Sequence, residues 1–231
     1  MANKTSTQKE KENALVISFL ALRRSIGYAG IGVPFIMAIG SVIAGDCNEI
    51  QESISAYYHT VMRDVFVAIL SAIAFFLYSY RGYDAMDNVL SKLAALFAVG
   101  IALFSCDVDL KTNCYIEPIG VNALAGKLHI FFAVLFFLVL TYISLFQFTK
   151  TDDSKTVTTR KKSRNKIYRI CGFVMLGSIF SIALYWFWLE NSLPNLQKLK
   201  PVFFLESLAL IAFGISWLVK GEVILKDTEE E

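Results

Sequence analysis

Polar and apolar residues separate into long blocks along this chain instead of alternating. Six stretches carry almost no charge: Tyr28–Gly45, Asp64–Ser79, Leu90–Cys106, Leu128–Phe148, Ile170–Leu189 and Val202–Val219. Each is apolar on all sides, with none of the period-two alternation of a spanning strand, so each reads as a helix. A bilayer core of about 30 Å takes roughly 20 residues of helix. The pattern therefore predicts an all-α polytopic membrane protein, a six-transmembrane-helix bundle.

An amphipathic stretch, Asn13–Arg24, precedes the first block and ends on Arg23 and Arg24. A cleavable secretory signal carries its basic residues before a short apolar run; here they stand directly before a full span. The stretch predicts an N-terminal interfacial helix with both arginines near lipid phosphates. The chain then divides into a cytoplasmic segment with that helix (1–27), the transmembrane domain (28–220) and an acidic cytoplasmic tail (221–231).

Composition narrows the class further. Of 231 residues, 55% are hydrophobic and 18% charged, against roughly 45–50% and about 25% in soluble domains. A disordered chain, a nucleic-acid module and a disulfide-stapled scaffold are excluded. With the N-terminus inside, 17 of the 22 Lys and Arg residues fall in inner segments. Outside remain Arg63, Lys111, Lys127, Lys198 and Lys200. The positive-inside rule then places both termini in the cytoplasm of a cell with this protein in its plasma or inner membrane. Tyr57, Tyr58, Tyr185, Trp186 and Trp188 mark outer interfaces, and Tyr168 and Trp217 inner ones. The basic loop Lys150–Arg169 lacks interleaved aromatics, so it reads as an orientation signal facing membrane lipids and not as a nucleic-acid site.

Three cysteines, Cys47, Cys106 and Cys114, fall on the outer side, where an oxidising environment permits a disulfide. Cys106–Cys114 would close a small loop, and Cys47 with either would tie two loops. Small residues recur in the spans, with Gly27, Gly30, Gly32 and Gly40 in or beside the first and Ala94, Ala98 and Ala102 in the third. They let helix backbones approach closely, within the chain or in a homo-oligomer through those faces.

Ionisable residues inside spans are costly and mark candidate function. Glu206 lies about one turn into the last block, His129 just inside the fourth, and Arg63 and Asp64 open the second. Asp107 and Asp109 follow the third. Five segments thus bring polar groups to one outer depth. The segment before the second block, Glu52–Asp64, is rich in hydroxyls and contains Ser53, Ser55, Tyr58 and His59. The expected site is one outward-facing pocket that recognises a lipid headgroup or small ligand through Ser53, Ser55, Tyr58, His59, Arg63, Asp64, His129 and Glu206. Glu206 is expected to face inward beside Arg63 or His129. No catalytic residue, metal or cofactor is assigned. One alternative is an intramembrane metal-dependent hydrolase of lipid amides or esters, using His59, His129, Asp64 and Glu206. Ser55, His59 and Asp64 superficially resemble the ceramidase and adiponectin-receptor hydrolases, but those have seven spans and a paired HxxxH that this chain lacks. Another alternative, an oligomeric channel or transporter, is disfavoured because no polar stripe runs through the inner half of the spans.

Three pieces carry a resemblance over nearly the whole chain: Leu22–Pro34 (LRRSIGYAGIGVP), Ser53–Gly82 (SISAYYHTVMRDVFVAILSAIAFFLYSYRG) and Glu206–Gly221 (ESLALIAFGISWLVKG). They resemble an uncharacterised family of bacterial six-span membrane proteins, distantly similar to the damage-regulated autophagy modulators. The resemblance implies six helices with both termini inside, and no established activity, cofactor or substrate.

Overall fold

The computed structural model describes residues 6–45, 47–82, 84–108, 114, 122–151, 158–192 and 194–226. Among them the secondary structure is helical, without strands. Six long helices follow in order: α1 (Ser6–Gly45), α2 (Arg63–Ser79), α3 (Ala85–Leu103), α4 (Ala123–Tyr142), α5 (Thr159–Leu184) and α6 (Pro201–Lys220). A π-helical turn extends α4 over Ile143–Gln147, and another extends α5 over Tyr185–Leu189. Short 3-10 turns lie at Ser55–His59 and Pro194–Leu199.

Local chemistry starts these helices. Asp84 caps α3 by accepting the Asp87 amide at 2.8 Å, and Asn122 caps α4 by accepting that of Ala125 at 2.7 Å. Thr158 does the same for α5 through the Lys161 amide. Pro201 occupies the first turn of α6, where a missing N–H costs nothing.

Five helical stretches are long and apolar enough to cross a membrane: Ile17–Gly45, Ala85–Leu103, Ala123–Gln147, Thr159–Leu189 and Pro201–Lys220. Helix α2, at 17 residues, is the short one. Large apolar side chains point outward along the helices, among them Ile43, Phe75, Leu103, Phe131, Phe180 and Phe187. A soluble protein would not leave so much apolar surface uncovered. A lipid-facing exterior accounts for it, and the chain is a membrane-embedded protein.

Helix α6 is the hub. Two thirds (67%) of its apolar window is buried, against 28% for α5. It packs between α1 and α5, with α2 and α3 completing the layer beside α1 and α4. Helix α1 runs antiparallel to α6 along a glycine seam. A Cβ on Gly214 would stand 2.5 Å from the Gly27 carbonyl oxygen and 2.9 Å from the Ile31 amide. A Cβ on Gly30 would meet the Phe213 ring at 2.6 Å. At the end of this seam the Arg24 Nε donates to the Gly221 carbonyl at 2.8 Å, and Arg23 reaches that of Lys220. The two arginines thus satisfy carbonyls at the C-terminal end of α6 and complement its dipole.

Two sequence expectations meet a different local outcome. Asn13–Arg24 is part of one unbroken 40-residue helix with the first span. Nothing in its sequence stops a helix at Arg24, since Pro34 is the first proline. The third span stops at Leu103, and its start lies at Ala85, ahead of the expected Leu90. Phe104 turns to extended backbone, so Ser105 and Cys106 leave the helix.

Loops sort to two ends. At one end the disulfide Cys47–Cys114 ties the loop after α1 to the loop after α3. There the Phe203 amide also donates to the Glu52 carbonyl at 3.0 Å. At the other end Lys150 pairs with Asp84, and Arg160 donates to the Lys226 carbonyl.

Candidate functional site

The site grows from how the α1–α2 loop is held. The 3-10 turn Ser55–His59 leaves its first amides without partners of its own. Glu206, in the second turn of α6, supplies them: its Oε2 accepts the Ile54 amide at 2.6 Å, and the Ser55 amide also bonds to the carboxylate. Ser53 Oγ accepts the Ala56 amide at 3.0 Å. Tyr57 is fully buried beside Phe203, with ring centroids 6.2 Å apart, and burial pushes its phenol above the ordinary value. The turn is therefore fastened to α6 by both backbone and side chain.

The two histidines hold the neighbouring segment. His59 Nε2 meets the Cys106 carbonyl at 2.9 Å, and His129 Nδ1 meets that of Phe104 at 2.8 Å. A carbonyl only accepts, so each of these nitrogens carries the proton. In the neutral His129 ring this leaves Nε2 as a bare acceptor. That atom is buried without a hydrogen-bond partner, and the residue is 3% exposed. The Ile101 carbonyl also lies close to the ring.

A slot of about 160 Å³ opens beside these groups. Its polar end is formed by Ser53, Ser55, Cys106, Asp107, His129 and Glu206. Its walls are apolar, with Ala133 and Phe137 of α4 facing Ile179 and Ala183 of α5. Trp186, on the π-helical turn of α5, borders both this slot and a smaller polar mouth of about 100 Å³. The mouth adds Glu52, Glu190 and Lys200, with the Lys200 Nζ 3.9 Å from the Glu52 carboxylate.

Four of the eight expected ligand residues, Ser53, Ser55, His129 and Glu206, line the slot together. The other four stand elsewhere. Arg63 turns to Tyr58, with its guanidinium 4.9 Å from the ring centroid and Nη2 donating to the hydroxyl at 3.3 Å. Asp64 is exposed in the first turn of α2. His59 is buried in the Cys106 contact. Glu206 faces the protein as expected, but among the described residues its hydrogen-bond donors are backbone amides, not Arg63. Of the three cysteines expected to be able to pair, Cys47 and Cys114 form the bridge, while Cys106 is a free, buried thiol at the slot. Asp109 lies outside the described residues.

The slot walls were not legible as a site. Ala133 and Ala183 both line it, and small residues on neighbouring spans are the one sequence signal that could have pointed there. Among the described residues no three His, Cys, Asp or Glu groups come together as a metal-binding set. Of the small residues singled out in the sequence, Gly27 and Gly30 pack against α6, Gly40 packs against Met62, and Ala94 and Ala98 are fully buried. No family model, curated protein or solved structure matches the chain.

Proposed function

We propose that the chain is a six-span protein of the cell membrane, with both termini cytoplasmic, whose outward-opening slot receives a lipid headgroup or small amphiphilic ligand. The observation that carries this reading is the make-up of the slot: apolar walls on α4 and α5 leading to an end of hydroxyls, carboxylates and the His129 imidazole. A ligand with an apolar chain and a polar head matches both parts. Exposed Ile130 and Val134 on one rim give the slot a side facing lipid.

The six-span arrangement is supported by the two-ended sorting of the loops. Helix α2 rises about 26 Å at 1.5 Å per residue, a little short of the core, which thinning of the bilayer and interfacial Arg63 accommodate. The 17-to-5 division of basic residues supports the cytoplasmic assignment of the Lys150–Arg169 end. The resemblance to six-span bacterial proteins points the same way.

One experiment tests the slot. Mass spectrometry of the purified chain, released gently from its membrane, should find a co-purifying amphiphile. Ala133→Trp fills the slot and should remove that species while the protein stays folded. Retention of the same species by a folded Ala133→Trp protein would refute the assignment. Orientation is tested separately: Lys162→Cys should be labelled by a membrane-impermeant reagent only after the membrane is opened.

A further inference from the structure

The cations at the start of α5 divide between two sides of the helix. Arg160, Lys161, Lys162, Arg164, Lys166 and Arg169 all precede Ile170, and α5 carries no acidic residue. At 3.6 residues per turn, Arg160, Lys161 and Arg164 share one side, and Lys162, Lys166 and Arg169 share the opposite one. The first three serve the bundle: Arg160 donates to the Lys226 carbonyl, Lys161 donates to that of Phe148 at 3.1 Å, and the Arg164 Nε is buried. The second three are exposed, and among the described residues none of them forms an ion pair. Half of these cations therefore have no task in holding the bundle together.

The outward side continues as an apolar face. Lys162, Lys166, Arg169, Phe173, Gly177 and Phe180 follow at intervals of four, three, four, four and three residues, which keeps them within an arc of about 80°. The three cations border an open hollow of about 480 Å³ together with Ile170 and Phe173. Beyond it, Gly177 makes a step between the exposed rings of Phe173 and Phe180, because a Cβ there would meet nothing within 4 Å. From Arg169 to Phe180 the helix rises about 16 Å, close to one leaflet of a core about 30 Å thick. We propose that this face of α5 binds one anionic phospholipid, its phosphate held by Lys166 and Arg169 with Lys162 at the outer edge, and one acyl chain lying over Phe173, Gly177 and Phe180. Long basic side chains reach a phosphate from the end of a span and bind it through charge-assisted hydrogen bonds. A zwitterionic headgroup brings its own cation to a site that already holds three, so the face selects for net negative charge. The slot beside Glu206 and Cys106 plays no part in this site.

The test titrates the full chain in detergent with dioleoyl phosphatidylglycerol or dioleoyl phosphatidylcholine and counts bound lipids by native mass spectrometry. The first phosphatidylglycerol should bind at a concentration at least ~10-fold below that of phosphatidylcholine, a difference of about 1.4 kcal/mol. Replacing Lys162, Lys166 and Arg169 together by Gln should bring the two lipids within about twofold of each other. Arg169→Gln alone should lower the preference several-fold, and all of these positions are exposed, so the bundle stays folded. The control replaces Lys92, Lys127 and Lys198 by Gln, which removes the same charge at exposed positions elsewhere and should keep the preference. Inorganic phosphate in large excess should not displace the lipid. Equal binding of the two lipids by the parent would overturn the proposal. So would an equal loss in the control, which would mean that net charge alone attracts the lipid. Displacement by inorganic phosphate would assign the face to a free anion in place of a lipid.

Discussion

Glu206 on α6 accepts the backbone amide of Ile54 at 2.6 Å, across 152 positions of sequence. A carboxylate in a membrane helix is thereby used to start a turn in the loop between α1 and α2. The same contact fixes the floor of the slot, since Ser53 and Ser55 flank the amide that it holds. An ion pair with Arg63 would have left these amides unsatisfied; the observed arrangement satisfies them and frees Arg63 for Tyr58.

Replacing Glu206 by Gln keeps the shape but puts an NH2 group where a second acceptor is needed. The variant should lose about 1–3 kcal/mol, the cost of leaving a buried donor unmade. The measurement is a thermal melt in detergent. A melt equal to that of the parent would mean that the second amide contact contributes nothing.

The glycine seam sets a second expectation. Gly214→Val drives a side chain into the Gly27 carbonyl and the Ile31 amide, both backbone atoms that cannot rotate away. Overpacking of this kind costs about 1–3 kcal/mol or more, so the melting temperature should fall by several degrees. Gly177→Ala is the control, because a Cβ there meets nothing within 4 Å. It should be neutral or slightly stabilising, given that alanine favours a helix over glycine by about 1 kcal/mol.

Thiol chemistry should divide the four cysteines in two. Burial pushes the Cys106 thiol far above its ordinary value, with the Glu206 charge adding to the shift. Little thiolate then forms at neutral pH, and alkylation is slow. Non-reducing peptide mapping should recover Cys47 joined to Cys114 and find Cys106 unmodified after brief exposure to a water-soluble maleimide. Rapid labelling of Cys106 at pH 7, or its recovery in a bridge, would contradict the arrangement.

At the opposite end, the Asp84–Lys150 pair predicts a pH response. The hydrogen bond from Lys150 holds the Asp84 carboxyl below its ordinary range, and the same bond raises Lys150. A lowered carboxyl contributes stability that is complete above its unfolded value and fades as pH falls through the folded one. A raised lysine contributes below its unfolded value and fades as pH rises through the folded one. The pair therefore acts across the neutral range and weakens at both extremes. Hydrogen exchange at the start of α3 should quicken in Asp84→Asn at pH 7, and the difference from the parent should shrink toward pH 3. Both groups are solvent-exposed, so the effect should be small and reduced by salt.

Much of this was legible in the pattern of the chain. Uncharged blocks of span length have one low-energy solution in lipid, since a helix satisfies its own backbone groups. The helices accordingly lie where the blocks lie, and the cysteine that pairs with Cys47 was among those expected. Partner choice was harder to read. Glu206 faces the protein, but charge logic points it to Arg63 or His129, whereas the strongest unmet need is a pair of backbone amides. Amides carry no sequence letter. Similarly, His59 and His129 look like ligands in a sequence with only two histidines. The short extended segment after Phe104 absorbs one nitrogen of each, and a helix reading carried through to Cys106 hides that demand.

The seam between α1 and α6 has a consequence for how the chain is made. Gly27 and Gly30 leave the ribosome early, and their counterpart Gly214 leaves almost two hundred residues later. At ~5–20 residues per second the interval is about 10–40 s. Throughout it α1 sits in the bilayer with its flattest face open to lipid or to other helices. The arrival of the last helix is then the step that shuts the bundle, and a chaperone that shields small-residue faces would be needed most in that interval.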